Sequence, residues 1–381
     1  MNVIEIWKEY EIGQLLSFEQ PTPYIVESTN YNDLYKTPVL TAGKSFVIGY
    51  TNEISGIYDK LPVIIYDDFT TSTQYVNFPF KVKSSAMKIL TAKESLVLPK
   101  FIYYRMQIIN FDHGTHKRYW IQHYSKTKVR IPSLQEQNRI VSRIEELFSE
   151  LDKSLETLQI LNQQLAVYRQ AVYSSAFDGI NDMCLITNHF EITGGLTKNQ
   201  KRSVLAIKLP YLRVANVYYD SVVLADIAEI GVSEADIRRT SLKRNDLLIV
   251  EGNGSKSQIG RIAIWDGSID NCVHQNHIIK GRPNGSMNPF YAMYYLISRN
   301  GRKQIEAIAK STSGLYTLST NKIKNLKVPY CSLAMQQEAV NEISTRLSIC
   351  NDIEQTVNTA LTQAAALRQS ILKHAFEGRL L

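Results

Sequence analysis

Two stretches decide how this chain folds: Leu134-Gln-Glu-Gln-Asn-Arg-Ile-Val-Ser-Arg-Ile144 and Leu333-Ala-Met-Gln-Gln-Glu-Ala-Val-Asn-Glu-Ile343. A single offset of 199 positions aligns Leu134 with Leu333, Gln137 with Gln336, Val141 with Val340 and Ile144 with Ile343. The same offset still pairs Arg169-Gln170 with Arg368-Gln369, Ala176-Phe177 with Ala375-Phe376, and Gly179 with Gly378. A register held without a gap over that distance marks an internal repeat. An apolar-Pro pair precedes each copy, Ile131-Pro132 and Val328-Pro329, at an offset of 197.

Both copies read as helix. In the first, Ile144, Leu147, Leu151, Leu155, Leu158, Leu161, Leu165, Tyr168 and Val172 recur in steps of three and four. In the second, Val340, Ile343, Leu347, Cys350, Ile353, Val357, Leu361, Ala364, Leu367 and Ile371 do the same. Such spacing makes one apolar seam that has to pack on another helix. No Pro or Gly interrupts either copy before Phe177-Asp-Gly179 and Phe376-Glu-Gly378, where glycine suits a helix C-terminus. Two rods of roughly 60 Å, each with one seam, bury those seams most simply against each other as an antiparallel pair.

The stretches between have another texture. Leu61-Pro-Val-Ile-Ile-Tyr66, Val204-Leu-Ala-Ile207 and Asp246-Leu-Leu-Ile-Val250 are short, rich in aliphatics and bounded by Pro, Gly, Asn or Asp, as strands are. The expected organisation is a mixed α/β block at 1–130, a helical segment at 131–180, a second mixed block at 181–327 and a second helical segment at 328–381. The two blocks share little obvious sequence.

Composition bounds the function classes. The 381 residues hold 43 Lys+Arg against 36 Asp+Glu, a formal charge of +7, with 44% apolar and 21% charged residues. That balance fits folded domains and excludes wholesale disorder. No apolar run reaches the length of a membrane helix, and Met-Asn-Val-Ile-Glu-Ile-Trp at the start does not read as a secretion signal. Cys184, Cys272, Cys331 and Cys350 form no CxxC pair, so a reduced, cytoplasmic chain is the expectation. The charge excess permits a polyanionic partner, and 22 tyrosines against 12 phenylalanines suit recognition surfaces.

Catalytic constellations are missing. Gly252-Asn-Gly-Ser-Lys-Ser257 lacks the glycine spacing of a nucleotide-binding loop and reads as a turn or phosphate-contacting loop. Asn77-Phe-Pro-Phe80 differs from the methyltransferase motif it superficially matches and reads as a strand end. Asp112, His113, His116 and His123 form one histidine group, and Cys272, His274 and His277 another. Neither supplies the two close ligand couples of a structural zinc site, so no metal is expected. No nucleophile elbow or zinc-helix motif stands out.

Polar and basic residues cluster instead between the strand-like runs. In the first block the candidate DNA contacts are Lys44, Tyr50, Lys81, Lys83, Ser84, Ser85, Lys88 and Arg105. In the second they are Arg213, Asn216, Asn253, Ser255, Lys256, Gln275, Asn276, His277, Ser313 and Tyr316. Arg and Lys pair with guanine O6 and N7, Asn and Gln with adenine N6 and N7, and serine turns donate to phosphates. For each segment the competing reading is an ordinary solvated loop, and for Lys81, Lys83 and Lys88 a charge guard on a sheet edge.

The alternation of dissimilar blocks with repeated helices resembles the specificity (S) subunits of type I restriction-modification systems over essentially the whole chain. The likeness rests on Leu134-Gln-Glu-Gln137, Arg169-Gln-Ala-Val172 and Ala176-Phe-Asp-Gly179, and on their second copies from Gln336 to Arg368-Gln-Ser-Ile-Leu372 and Ala375-Phe-Glu-Gly-Arg-Leu380. Within the blocks, Thr37 to Lys44, Lys83 to Leu90, Leu209 to Asn216, Gly252 to Ser255 and Cys272 to His277 are similar to the family's target recognition domains. Ala334-Met335 departs from Gln135-Glu136 of the first copy.

The resemblance implies an α+β fold. Two mixed α/β target recognition domains would be separated by two long helices packed as an antiparallel coiled coil, with pseudo-two-fold symmetry. It implies a non-catalytic subunit that binds double-stranded DNA, one half of a bipartite site per block. Two methyltransferase (M) subunits and restriction/translocase (R) subunits would dock on the helices, with Gln137, Arg169, Phe177, Gln336, Arg368 and Phe376 as docking residues. S-adenosylmethionine, ATP and magnesium would belong to those partners, leaving this chain without a cofactor. The competing class is a coiled-coil scaffold that binds proteins and reads no DNA.

Overall fold

The structure, a computed structural model, describes residues 7–43, 45–109, 118–312 and 314–380. Lys44, Asp112, His113, His116 and Ser313 lie outside the described residues. The chain divides into two compact units: residues 1–159 with 358–381, and residues 160–357. Each unit therefore holds one strand-rich block and a part of each long helix.

In the first unit, strands β1 (Lys8–Glu11) and β2 (Leu16–Glu19) lead to β3 (Thr37–Leu40) and β4 (Val47–Thr51). They are followed by β5 (Val63–Asp67), β6 (Thr73–Val76), β7 (Lys81–Val82), β8 (Met87–Ala92) and β9 (Lys128–Ile131). A four-stranded antiparallel sheet has the order β2-β8-β5-β6. In a three-stranded sheet β3 pairs antiparallel with β4 and parallel with β7. Strands β1 and β9 close the block as a two-stranded ladder.

The aliphatic run in β5 explains its central place. Successive residues point to opposite faces: Ile64 and Tyr66 enter the core shared with the helices, whereas Val63 and Ile65 enter the core beneath the three-stranded sheet.

The second unit repeats this plan. Its strands are β10 (Met183–Leu185), β11 (Phe190–Gly194), β12 (Ile207–Leu212), β13 (Ala228–Val232) and β14 (Leu247–Val250). Then come β15 (Gly252–Asn253), β16 (Ile262–Ile264), β17 (Val273–His274), β18 (Ile278–Pro283), β19 (Lys310–Thr312), β20 (Leu315–Thr317) and β21 (Lys327–Pro329). The four-stranded sheet β11-β18-β14-β16 is antiparallel throughout. Strand β12 pairs antiparallel with β13 and parallel with β17, and β10 closes on β21. A small extra sheet, β15-β20-β19, has no counterpart among the described residues of the first unit. The run expected as a strand from Val204 is corrected: Asn199 caps a short helix at Gln200–Ser203, Val204 is exposed, and the strand starts at Ile207.

The two repeats are helices Leu134–Ser175 and Leu333–Phe376, 42 and 44 residues long. Ser133 and Ser332 start them in the same way, each hydroxyl accepting from the amide three residues on at 3.3 Å. Beyond their ends, Gly179 and Gly378 take φ of +80° and +68°, a backbone that favours glycine.

In the first unit Ile140, Ile144 and Phe148 share a core with Ile371 and Phe376; in the second, Val172 and Phe177 share one with Val340, Ile343 and Leu347. Each of these cores also takes in the four-stranded sheet of its unit, so the seams are covered partly by helix and partly by sheet. Arg368 bonds Asp152 and Arg169 bonds Asn351: as the first helix advances 17 positions, the second retreats 17, which is antiparallel pairing.

The seam itself is displaced from the expected rows at charged positions. Ile144, Phe148, Leu151, Leu155, Leu158, Asn162, Leu165, Arg169, Val172 and Ala176 are all buried or half-buried, with strictly alternating steps of four and three. In the second helix the set is Val340, Ile343, Leu347, Cys350, Glu354, Val357, Leu361, Ala364, Arg368, Ile371 and Ala375. Tyr168, Ile353 and Leu367, read as seam residues, face solvent beside Arg169, Glu354 and Arg368.

Candidate nucleic-acid interface

In the first unit the turn between β3 and β4 is held by Thr41, whose amide donates to the Phe46 carbonyl at 2.9 Å and whose hydroxyl donates to that of Ser45 at 2.8 Å. The Lys83 amide donates to the Leu40 carbonyl at 3.1 Å, which brings the β7–β8 connection out beside that turn. Lys83 and Ser85 are exposed there, Ser84 is half-buried, and Tyr50 sits half-buried on β4. Lys83 and Ser85 share that loop end with the turn, whereas Tyr50, paired with Pro38, lies toward the other end of the β3–β4 ladder.

Two first-block candidates, Lys81 and Lys88, are corrected, and a third, Arg105, is half-buried against a helix. Lys81 is 2% exposed, with Nζ 2.7 Å from Glu53 and donating to the Ser55 carbonyl at 2.8 Å, so it clamps a loop onto β7. Lys88, also 2% exposed, pairs with the buried Asp68 at 3.3 Å, and Asp68 in turn accepts from the Trp120 amide. A buried charge needs such a partner, and neither ammonium group is presented to a ligand. Arg105 lies against the Phe376 ring, 5.4 Å from its centroid, and belongs to the helix packing; burial lowers its pKa.

In the second unit four candidate segments converge. The Val214 amide donates to Gln275 Oε1 at 3.1 Å, joining the loop after β12 to the β17–β18 connection. Glu251 accepts the Leu318 amide through its carbonyl and faces the His277 ring at 3.4 Å, joining that connection to the extra sheet. Burial raises the Glu251 pKa, against the pull of His277. Asn253 lies directly across from Tyr316 in the β15–β20 ladder. Asn253 Oδ1 accepts from the Ser255 amide at 2.9 Å, shaping a tight turn whose next residue, Lys256, is exposed. Asn276 is half-buried and its amide lies 3.3 Å from His277 Nε2.

Asn216 is corrected to a structural role: it is 4% exposed, accepts from the Arg213 amide and donates to the carbonyls of Val223 and Asp226. Arg213 is tied to Asp226 at 2.5 Å, at the edge of the surface.

The topology makes two segments equivalent. Lys83-Ser84-Ser85 connects β7 to β8 as Gln275-Asn276-His277 connects β17 to β18, so the two blocks present different side chains from the same place in the plan. Sequence reading passed over Tyr218 and Arg261. Arg261 donates to the Val214 carbonyl at 3.1 Å and its guanidinium lies 5.1 Å from the centre of the exposed Tyr218 ring, beside Arg213. The only signal in the sequence was the abundance of tyrosine.

The six residues expected at partner docking all make contacts within the chain, and of these Gln137 and Gln336 are fully enclosed, which removes them from a docking surface. Gln137 and Gln336 are both 0% exposed. Gln137 accepts from the Leu98 amide and donates to the carbonyls of Leu96 and Pro132. Gln336 accepts from the Asn288 amide and donates to the Cys331 carbonyl. Leu98 and Asn288 each precede a proline that opens a helix, Pro99–Met106 and Pro289–Ile297, so each glutamine ties a long helix to the helix of its block. Phe376 meets Phe101 edge to face at 5.2 Å, and Phe177 meets Tyr291 in the same way at 5.1 Å. Arg169 and Arg368 are engaged across the seam.

Among the described residues, no three His, Cys, Asp or Glu converge as a metal set, and no helix is long and apolar enough to cross a membrane.

A family model described as the type I restriction modification DNA specificity domain matches residues 185–363. The type I restriction enzyme EcoR124I/EcoR124II specificity subunit of Escherichia coli is 30% identical over 373 residues, covering 90% of this chain and 87% of that protein. The EcoKI specificity subunit of Escherichia coli K12 is 26% identical, covering 80% of this chain and 70% of its own. Among solved structures, a chain from a study of complex assembly and conformational transition of the type I R-M system superposes with a TM-score of 0.74. It has 14% identity and 98% coverage of both chains. The HsdS subunit from Thermoanaerobacter tengcongensis gives 0.57 at 14% identity, covering 98% of this chain and 97% of its own.

Proposed function

This chain belongs to the type I restriction enzyme specificity subunits, and we propose that it reads a bipartite DNA site, one half with each strand-rich block. The observation that carries the reading is the doubled plan: one strand topology appears twice, each time joined to one copy of a helical repeat. The two blocks keep the scaffold and change the residues on the loops. That is what two readers of unlike half-sites require.

Recognition divides by chemistry. Lys83, Ser85 and Lys256, exposed and on loops, suit phosphate contacts that set position without reading sequence. Asn276 and His277 in the second block, and Ser84 in the first, stand at equivalent connections where side chains reach base edges. Tyr218, backed by Arg261, adds a flat surface for sugar or base contact.

Two readers on one chain, each joined to a copy of the helical repeat, call for a target of two specified segments around an unspecified gap. Two methyltransferase subunits dock on the equivalent outer faces of the repeat, and restriction/translocase subunits join through them. Methyl transfer and ATP-driven steps, with S-adenosylmethionine, ATP and magnesium, then belong to those partners, and this chain supplies sequence choice.

The test is methylated-base sequencing of a host that carries this chain with its methyltransferase partner. The expected result is one motif of two short specified halves and a constant gap, absent when this chain is omitted. A protein scaffold without DNA reading leaves the methylation pattern unchanged by its omission, and that result overturns the reading.

A further inference from the structure

Strands β7 and β17 hold one place in the plan of the two blocks, and register makes single residues equivalent: Val82 lies beside Leu40 as His274 lies beside Leu212. Lys83 and Gln275 follow, their amides donating at 3.1 Å to the Leu40 carbonyl and at 2.9 Å to that of Leu212. Val82 and His274 are both 0% exposed. The first block thus fills this position with an aliphatic side chain. The second fills it with an imidazole whose Nε2 has no hydrogen-bond partner among the described residues. Burying such a nitrogen lowers stability, and Val82 shows that the plan does without it. What His274 adds is one bond: Nδ1 donates to the Ile278 carbonyl at 2.9 Å, spanning Gln275, Asn276 and His277.

That connection is held along its length. The Asn276 amide donates to the Leu196 carbonyl at 3.0 Å, the Ile278 amide to that of Gln275 at 2.9 Å, and the Glu251 amide to that of His277 at 2.8 Å. A Cβ on Gly195 would fall 2.3 Å from the carbonyl oxygens of both His274 and Gln275, so glycine permits this close approach. The side chains divide. Gln275 Oε1 is taken by the Val214 amide. His277 Nδ1 lies 3.4 Å from Glu251 Oε2, and its Nε2 lies 3.3 Å from the Asn276 side-chain nitrogen. Asn276 keeps its acceptor oxygen and one N–H, the adjacent pair that matches N6 and N7 of adenine.

We infer that His274 is a positioning residue for base reading: its bond to Ile278 fixes the connection so that Asn276, with His277 beside it, meets an adenine edge in the half read by the second block. This inference rests on the bipartite reading proposed above. A donor and acceptor held in place before contact are left unpaired by a wrong base, and that lowers affinity for it. A connection free to move would turn away from the mismatch and accept more bases.

The experiment uses the full chain with its methyltransferase partner, acting on plasmid libraries in which each base of the wild-type motif is varied singly. Asn276→Ala marks the position that this connection reads. His274→Val, which copies the first block, is expected to fold and to lose about tenfold in discrimination at that position, with the other half read as in the wild type. His274→Phe, a ring without the donor, is read in parallel and is expected to behave as the valine variant. His274→Asn restores a donor near the place of Nδ1 and is expected to keep discrimination close to the wild type. Wild-type discrimination in the valine and phenylalanine variants, or an equal loss in both halves, overturns the inference. So does an asparagine variant as impaired as the valine one, or a chain that folds with neither valine nor phenylalanine, where the ring serves the fold. A wild type with one undivided motif, or an Asn276→Ala variant that changes neither half, overturns the proposed reading itself, and is told apart because no His274 variant is needed to see it.

Discussion

Lys88 and Lys256 are the same residue type in opposite situations. Lys88 is buried against Asp68, so Lys88→Ala leaves a buried carboxylate without its cation and is expected to cost about 3 kcal/mol, read from urea unfolding. Lys256 is exposed at a loop tip, so Lys256→Ala is expected to leave stability unchanged. It should weaken DNA binding equally for all sequences and reduce the slope of log affinity against log salt by about one, measured by salt titration of duplex binding.

His274 adds a pH dependence. Its Nδ1 donates to the Ile278 carbonyl at 2.9 Å, so Nε2 carries the lone pair, buried and without a hydrogen-bond partner among the described residues. Burial, with Lys280 nearby, pulls its pKa down to about 3. The unfolded chain takes up that proton first, near pH 6.5. The stability from a neutral ring is thus complete above pH 6.5 and declines as pH falls toward 3. Urea midpoints from pH 7 to 4 should drop more for the wild type than for His274→Asn.

At the scale of elements, Gln137 and Gln336 are the joints between the long helices and the helices of their blocks. Replacing either with alanine orphans buried amide and carbonyl groups and is expected to cost about 2 kcal/mol. Unfolding midpoints of Gln137→Ala and Gln336→Ala should fall by similar amounts. The helices were legible because a repeat and a three-four period survive in the residues themselves, and β5 and β14 because their aliphatic runs are unbroken.

What was misread follows from chemistry that contradicts residue type. An apolar residue is the ordinary seam occupant, which favours Ile353 and Leu367 on sequence, yet Glu354 and Arg368, each with a partner across the seam, take the place. Lys81 and Lys88 read as surface charges for the same reason, since their acidic partners lie 20 or more positions away in sequence. The shared topology of the two blocks was invisible because a sheet constrains which positions are buried, not which residues fill them.

At the scale of the molecule, the proposal that the helices space the two halves of the target is tested by lengthening them. Inserting seven residues in each long helix preserves the phase of the seam and adds about 10 Å. The preferred gap in methylation maps is expected to grow by about three base pairs; an unchanged gap would show that the helices do not measure it. The loops of each block were only partly readable as a candidate interface, since their placement depends on the parallel pairing of β7 and β17, which no local motif announces. The ladder of β10 with β21 has a further consequence. Everything from Ile186 to Leu326 departs from and comes home to one paired doorway. A foreign insert arriving with the same two doorposts would dock without disturbing its host, and evolution could trade vocabularies while leaving the grammar alone.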